Sequence, residues 1–246
     1  HGDRDRAPPG DDPARRFYRF SFFRKSEGVR HVRRAHGPER IVPPPMGTGV
    51  FLAMCGIAAF FAYHYAAPSI DREELASVSR AMRLRGPDGE GEWHSADGRA
   101  ALAHRRLAII DLTERAAQPM PSADGARIVT FNGEIYNWRE LRVRLEAGGR
   151  KFRSDSDTEL LLHLYDEKGE AMLGDLRGMY AFALWDARRG AMLLARDPYG
   201  IKPLYYADDG WTFRAASQVR ALLEAKGVSR SPDPAGLAGF LLWGSV

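Results

Sequence analysis

Met54-Cys55-Gly56-Ile57-Ala58-Ala59-Phe60-Phe61 is the stretch around which this sequence of 246 residues is organised. It contains the only cysteine of the chain, directly before a run of apolar residues typical of a buried strand. A small hydrophobic side chain at the start of that strand is the simplest interpretation of Cys55. A thiol there can also act as a nucleophile once it is deprotonated. The residues that follow decide between these two interpretations.

The net positive charge of the chain comes from its first part. The formal net charge is +4, and residues 1–53 alone carry 11 Lys or Arg against 6 Asp or Glu. Residues 54–246 are therefore close to neutral and create no field that would attract a polyanion. We expect no nucleic-acid partner.

The longest apolar stretch, Val50–Tyr63, is interrupted only by Gly56. A helix that crosses a membrane needs about 20 apolar residues, so this shorter stretch predicts a buried strand and no membrane partner. A single cysteine allows no disulfide within the chain, which fits a reducing compartment. We expect a cytoplasmic protein.

The sequence predicts three segments. Residues 1–53 are rich in Arg and Pro and show no periodic apolar pattern, so we expect a disordered leader that is absent from the mature protein. Residues 54–230 form the folded domain. Residues 231–246 begin with a Pro-containing linker and continue as an apolar helix over Ala235–Trp243, the first helix of a truncated second domain.

Helices and paired strands alternate through the folded domain. Helices are predicted over Ile70–Leu84 and Trp138–Ala147, the latter with Asn137 as N-cap. Ser156-x-x-Glu159 predicts a capping box that opens a helix ending at Gly169. This order of elements predicts sheet layers covered by helices. The predicted strands are Cys55–Phe61, Ala100–Ile110, Arg127–Phe131, Met179–Trp185, Met192–Asp197, Leu204–Tyr206 and Trp211–Ala215, followed by a closing helix over Ser217–Lys226.

Four motifs follow Cys55 at long spacing: Arg85-Gly86-Pro87-Asp88, His104-Arg105-Arg106-Leu107, Asn132-Gly133-Glu134-Ile135-Tyr136-Asn137 and Ser156-Asp157-Thr158-Glu159. Together with Cys55 they resemble the glutamine-hydrolysing half of the class II amidotransferases, in the asparagine synthetase B branch. The resemblance covers about residues 54–226. It implies an α+β fold, the four-layer αββα sandwich of the N-terminal-nucleophile hydrolases. It also implies hydrolysis of L-glutamine through a thioester at Cys55.

Asn132 and Gly133 offer a carboxamide and a backbone N–H, with a glycine that allows close approach. Thiolate attack on an amide places negative charge on the carbonyl oxygen, which aimed donors stabilise. By itself an Asn-Gly pair is typical of a tight hairpin turn. The resemblance implies that both residues form the oxyanion hole for the catalytic Cys55.

The resemblance also implies which residues bind the backbone groups of glutamine. Arg106 pairs with the α-carboxylate, for which a planar guanidinium is suited, and Asp157 binds the α-ammonium group with Glu134 beside it. Taken singly, Arg106 is explained as a solvated charge and Asp157 as a favourable residue at a helix N-terminus. The Arg85 motif is predicted to be a rigid turn near the pocket. The backbone that follows Arg106 is implied to line the pocket through Leu107, Ala108, Ile109 and Ile110.

Members of this family begin at the cysteine and use its α-amine as the base. An α-amine has a pKa of roughly 7.7–8.0, whereas a nitrogen in a peptide bond has no useful basicity. We therefore expect residues before Cys55 to be absent from the working protein. Translation from Met54 with removal of that methionine is expected over cleavage of a propeptide.

The seven histidines show no spacing typical of metal ligands, so we expect no metal. The sequence has no glycine-rich phosphate-binding loop, so no cofactor is expected in this chain. ATP and magnesium are expected only in a C-terminal synthetase domain that would receive the ammonia. A homodimer is left open. The alternative function is a non-catalytic module that binds a partner and whose Cys55 never becomes N-terminal.

Overall fold

The computed structural model describes residues 21–24, 28–31, 54–107 and 116–243. Their elements, in chain order, are β1 (Ser21–Arg24), β2 (Gly28–His31), β3 (Gly56–Ala62), α1 (Arg72–Ala81), β4 (Gly89–His94), β5 (Ala100–Arg106), β6 (Met120–Pro121), β7 (Arg127–Ile135), α2 (Trp138–Ala147), α3 (Asp157–Lys168), a 3₁₀ helix (Gly169–Gly174), β8 (Gly178–Asp186), β9 (Ala191–Arg196), β10 (Tyr205–Asp208), β11 (Thr212–Ala216), α4 (Val219–Leu222) and α5 (Pro234–Trp243).

Two antiparallel sheets make up the centre of the described domain. One has five strands in the order β10-β11-β3-β5-β4, and the other has four in the order β6-β7-β8-β9. Between them lies a core that includes Ile57, Phe61 and Trp185, with the last two rings packed edge to face at 5.3 Å. The sheets therefore form the two inner layers of the fold.

Helices cover the outer face of each sheet. Alternate residues of β3 point to opposite faces, so Ala58 and Phe60 pack against Leu75 and Val78 of α1 while their neighbours face the other sheet. On the far side, β7 and β8 pack against α2 and α3 in a core centred on Leu161. This arrangement is the predicted αββα sandwich, and the fold prediction is confirmed.

A polar bond joins the two sheets near the middle of β5 and β7. The buried Thr130 hydroxyl on β7 donates to the carbonyl oxygen of Ala103 on β5 at 3.1 Å. It aligns the strand that ends at Arg106 with the strand that carries Asn132. Two motifs far apart in sequence are thereby brought to one end of the sandwich.

Several predicted elements differ from the structure. Strand β4 was not predicted, because Gly89–His94 shows little apolar alternation. Strand β7 continues to Ile135, so Asn132-Gly133 lies within a strand and makes no hairpin turn. The predicted helix over Ser217–Lys226 is reduced to the single turn of α4.

Asn137 and Ser156 are the N-cap residues of α2 and α3, as predicted, but the side-chain hydrogen bonds at these caps differ from the prediction. The Asn137 side chain makes no cap bond, and instead donates to Asp175 O at 2.9 Å and accepts from Arg177 N at 3.0 Å. Ser156 does cap α3, since its hydroxyl accepts from Thr158 N at 3.2 Å. Glu159 does not complete the capping box, because its carboxylate accepts from the N–H groups of the preceding loop.

Strands β1 and β2 pair as an antiparallel hairpin inside the segment for which the sequence predicts disorder. The rest of residues 1–53 lies outside the described residues, and the division of the chain at residues 53 and 230 stays a prediction. Within the described ranges, no helix has the length and apolar character required to cross a membrane.

Candidate active site

Cys55 lies immediately before β3 and is half-buried. Gly56 of β3 pairs with Arg105 of β5. Cys55, directly before β3, therefore lies close to Leu107, which follows β5. The N–H of Leu107 accordingly approaches Cys55 Sγ at 3.4 Å, and the thiol lies 3.7 Å from Leu107 O. The antiparallel pairing of β3 and β5 therefore places the thiol.

The Arg85 motif supports the backbone of Cys55. Arg85 Nε donates to the Cys55 carbonyl oxygen at 3.1 Å. A Cβ on Gly86 would lie 2.3 Å from the carbonyl carbon of Arg105, so only glycine permits the turn to pack this closely on β5. The geometry agrees with the predicted rigid turn and adds a direct contact with the cysteine.

Asn132 presents an unpartnered donor at the same end of the sandwich. The residue is 2% exposed, and within the described part of the chain its Nδ2 has no hydrogen-bond partner. A buried amide N–H₂ without an acceptor costs free energy. A ligand oxygen placed next to this amide would accept its hydrogen bond and remove that cost. The amide is thus a ready donor for a carbonyl oxygen.

Gly133 is required by the packing of β7 on β8. A Cβ at this position would lie 2.3 Å from Met179 O and 2.7 Å from Tyr180 Cα. The close approach that the sequence predicted for this glycine is therefore to the neighbouring strand. A substitution here would displace β7 and with it the amide of Asn132.

Asp157, the first residue of α3, faces the end of β7. Its Oδ2 accepts from Ile135 N at 3.0 Å. The pKa of this carboxyl is raised to about 6, chiefly by burial and further by the neighbouring Glu134 carboxylate, against the opposing effect of the Ile135 N–H. A bound cation would relieve this cost, so the carboxyl is suited to hold an ammonium group.

These residues share one cavity of about 180 Å³. Ala108, Ile109 and Ile110 lie outside the described residues, so their predicted contribution to the pocket stays a prediction. The structure brings together the other predicted site residues, which are Cys55, Arg106, Leu107, Asn132, Gly133, Glu134 and Asp157.

Sequence reasoning missed several residues that line the cavity, among them His104, Gln118 and Lys202. Burial lowers the pKa of His104 to about 4, so its imidazole is neutral at pH 7. Lys202 lies between the predicted strands Met192–Asp197 and Leu204–Tyr206, in a segment for which no site residue was predicted. The available signal was a lone charged residue among apolar neighbours from Tyr199 to Leu204.

Burial raises the pKa of the Cys55 thiol. The Leu107 N–H and the positive charges of Lys202 and Arg106 act in the opposite direction but do not reverse the shift. The thiol is therefore protonated at neutral pH in this environment, and a reaction at Cys55 requires a base close to sulfur.

Comparison with known proteins agrees with the family that the sequence motifs resemble. The family described as glutamine amidotransferase domain matches residues 54–246. Asparagine synthetase [glutamine-hydrolyzing] 1 of Bacillus subtilis (strain 168) is 42% identical over 174 residues, which cover 70% of this chain and 27% of that protein. Asparagine synthetase B of Escherichia coli (strain K12) is 40% identical over 193 residues, which cover 77% of this chain and 33% of that protein. The chain thus spans a third or less of the length of these two relatives.

A solved structure supports the fold assignment. The glutamine phosphoribosylpyrophosphate amidotransferase of B. subtilis superimposes with a TM-score of 0.58 at 22% identity, covering 68% of this chain and 43% of that one. At this identity the likeness concerns the fold alone.

An αββα sandwich with a cysteine directly before a central strand is a fold of the N-terminal-nucleophile type. The family match and the two relatives narrow this class further. The chain belongs to the glutamine amidotransferase domain family, class II, of the asparagine synthetase B type, and the resemblance predicted from its motifs is confirmed.

Proposed function

We propose that this domain hydrolyses L-glutamine to L-glutamate and ammonia with Cys55 as nucleophile. The observation that carries the proposal is the convergence of a thiol, an unpartnered buried amide donor, a guanidinium and a carboxyl in one cavity, contributed by Cys55, Asn132, Arg106 and Asp157. The names of the relatives, which describe them as glutamine-hydrolysing, support the same substrate.

In this proposal the two ends of glutamine bind different parts of the cavity. Arg106 pairs with the α-carboxylate through its planar guanidinium. Asp157 and Glu134 bind the α-ammonium group, which offsets the cost of the negative charge of Asp157. The side chain then extends toward Cys55, and the remote binding groups hold the scissile amide next to sulfur.

Acylation transfers one proton twice. The α-amine of an N-terminal Cys55 takes the thiol proton as sulfur attacks the amide carbon, and the carbon–sulfur bond forms. Asn132 Nδ2 and the Gly133 N–H donate to the oxyanion of the tetrahedral intermediate. The α-ammonium group then gives its proton to the leaving nitrogen, the carbon–nitrogen bond breaks, and ammonia departs from a thioester.

Deacylation uses the same groups in reverse. The neutral α-amine takes a proton from water as its oxygen attacks the thioester carbon. The same two donors stabilise the second oxyanion. The carbon–sulfur bond breaks, and sulfur regains the proton from the ammonium group. The new carboxylic acid gives its proton to solvent water, and glutamate leaves.

We propose that, in the whole protein, the ammonia passes to a C-terminal synthetase domain that uses ATP and magnesium to form asparagine in the cytoplasm. The proposal rests on the names of the relatives and on the 27% to 33% of their length that this chain spans. No cofactor is proposed for the domain described here.

The decisive experiment compares two forms of the chain. A protein that begins at Cys55, released by proteolytic removal of everything before it, is expected to release glutamate from glutamine. The full sequence, in which that nitrogen is part of a peptide bond, is expected to show no turnover because the base is missing. Equal rates in both forms would exclude the α-amine as base. No turnover in either form would favour the non-catalytic alternative.

Asp157→Asn is expected to raise KM for glutamine by roughly 10- to 100-fold with a smaller change in kcat, because it removes a charge-assisted bond remote from the reacting amide.

The Asp157→Asn variant should also have a Tm higher by a few degrees at pH 7 and above. The carboxyl has a pKa of about 6 in the folded chain. It has a pKa of about 3.9 when unfolded, so its cost to the fold is complete above pH 6 and vanishes below about pH 4.

Thermal unfolding between pH 4 and pH 8 and steady-state kinetics test both parts. Glu140→Gln is the matched control, since Glu140 is an exposed carboxylate in the first turn of α2. It should change neither KM nor the pH dependence of Tm. A kcat defect at unchanged KM in Asp157→Asn would contradict the assigned contact with the α-ammonium group.

A further inference from the structure

We infer that Lys202 is a positioning residue of this site, whose buried ammonium group acts on Cys55 and favours its thiolate. The inference deepens the proposed function and rests on it for the catalytic consequence. The electrostatic part concerns the thiol itself and can be tested without glutamine.

The backbone of Lys202 is held rigidly between β9 and β10. The Asp197 carboxylate accepts from the N–H groups of Tyr199 at 3.1 Å, Ile201 at 2.9 Å and Lys202 at 2.9 Å. Arg196 Nε donates to the carbonyl oxygen of Lys202 at 2.9 Å. Such a network fixes where the Lys202 side chain starts, so its direction into the cavity does not depend on loop motion.

The side chain itself is buried next to the cysteine. Lys202 is 6% exposed and lines the cavity that contains Cys55. Its Nζ lies 3.0 Å from the sulfur of Met54, the residue whose carbonyl carbon is bonded to the Cys55 nitrogen. The ammonium group is therefore directed at the same short stretch of chain that bears the thiol and its adjacent nitrogen.

A thioether is a poor partner for a buried ammonium group. Within the described part of the chain, Lys202 has no carboxylate within ion-pair distance of 4.0 Å. Burying a charge without such a pair is costly. A lysine kept under these conditions beside a nucleophile points to an electrostatic function rather than to stability.

Other charges face the same space. Arg85 from the turn after α1 and Arg106 from β5 are cationic, whereas Glu134 from β7 and Asp197 from the end of β9 attract Lys202. His104 is neutral at pH 7. Lys202 is thus one of three cations around Cys55. Its ammonium group contacts Met54, the residue directly before the cysteine.

Two effects follow from this position. Attraction to Nζ stabilises the thiolate and lowers the thiol pKa, in agreement with the direction of its effect on Cys55. Repulsion destabilises a charged α-amine at Cys55 and keeps that base neutral at lower pH. For a cation that shares a partly buried cavity with these groups, we expect each effect on a pKa to be on the order of one pH unit.

The test uses the full chain, whose single cysteine makes the thiolate signal unambiguous. The pH midpoint of thiolate absorbance and the rate of alkylation by iodoacetamide are measured for the wild type, Lys202→Met, Lys202→Gln and Lys202→Arg. Both neutral variants should raise the midpoint by about one pH unit and slow alkylation at pH 7 about tenfold. Lys202→Arg should retain the wild-type midpoint. Lys151→Met, at an exposed lysine, is the matched control and should change nothing.

An unchanged midpoint in the neutral variants would overturn the inference. An equal shift in Lys202→Arg would also overturn it, since packing rather than charge would then be the cause. If the neutral variants do not fold, the wild type gives the answer through reciprocal coupling. Alkylation of Cys55 removes the thiolate and must lower the pH midpoint of Lys202, observed by NMR of the lysine side chain.

Failure of this inference is distinguishable from failure of the proposed function. The thiol titration requires no turnover, so its result does not depend on whether the domain hydrolyses glutamine. In the protein that begins at Cys55, Lys202→Met should in addition move the acidic limb of the kcat/KM profile to higher pH by about one unit. A uniform loss of activity without that displacement would assign Lys202 a merely structural role.

Discussion

Cys55→Ala is expected to abolish glutamine hydrolysis in the protein that begins at residue 55, with a loss of roughly 10⁴-fold or more. The variant removes the atom that forms the thioester, and the described cavity holds no second thiol because the sequence has one cysteine. Cys55→Ser should be nearly as inactive, since a hydroxyl is a far weaker acid than a thiol. Ammonia release measured over hours provides the necessary sensitivity.

A second measurement separates chemistry from binding. An electrophilic glutamine mimic should label the wild type at Cys55 and leave Cys55→Ala unlabelled, as read by mass spectrometry of the digested protein. Cys55→Ala should still bind glutamine, because Arg106 and Asp157 remain in place. Undiminished turnover by Cys55→Ala would end the proposed mechanism.

Asn132→Ala is expected to lower kcat by roughly 10²–10³-fold with little change in KM. The reason is the unpartnered Nδ2 of Asn132, which the folded chain holds ready in the cavity for an oxygen that becomes negative only during the reaction. Asn132→Asp should be at least as damaging, because it places a negative charge beside the developing oxyanion.

The same motif offers a matched control. Asn137 bonds the backbone of Asp175 and Arg177 and is not among the residues that line the cavity. Asn137→Ala should therefore lower Tm while kcat stays near the wild-type value. A rise in KM at unchanged kcat in Asn132→Ala would instead make Asn132 a ground-state binding residue.

The layered architecture and the family were predictable from local sequence patterns and motifs. The unbroken apolar run from Ile57 to Ala62 predicts a strand covered on both faces, and every residue of β3 is buried. The helical spacing over Trp138–Ala147 gives α2 with the same boundaries. These inferences succeed because burial repeats with the local period of a strand or a helix. The five motifs then indicated the asparagine synthetase B type, which the comparisons confirm.

Which side chains meet in the cavity depends on how the folded chain packs. Leu107 reaches Cys55 across 52 positions through the pairing of β3 with β5, and the Asp157 carboxylate reaches Ile135 N across 22 positions. Asn132-Gly133 is a strand and not a turn because β8 pairs along its whole length. Lys202 escaped sequence reasoning since no local pattern distinguishes a buried charge from a solvated one. Contacts of this kind are set by strand register and sheet packing, which act between segments that have no fixed spacing in the sequence.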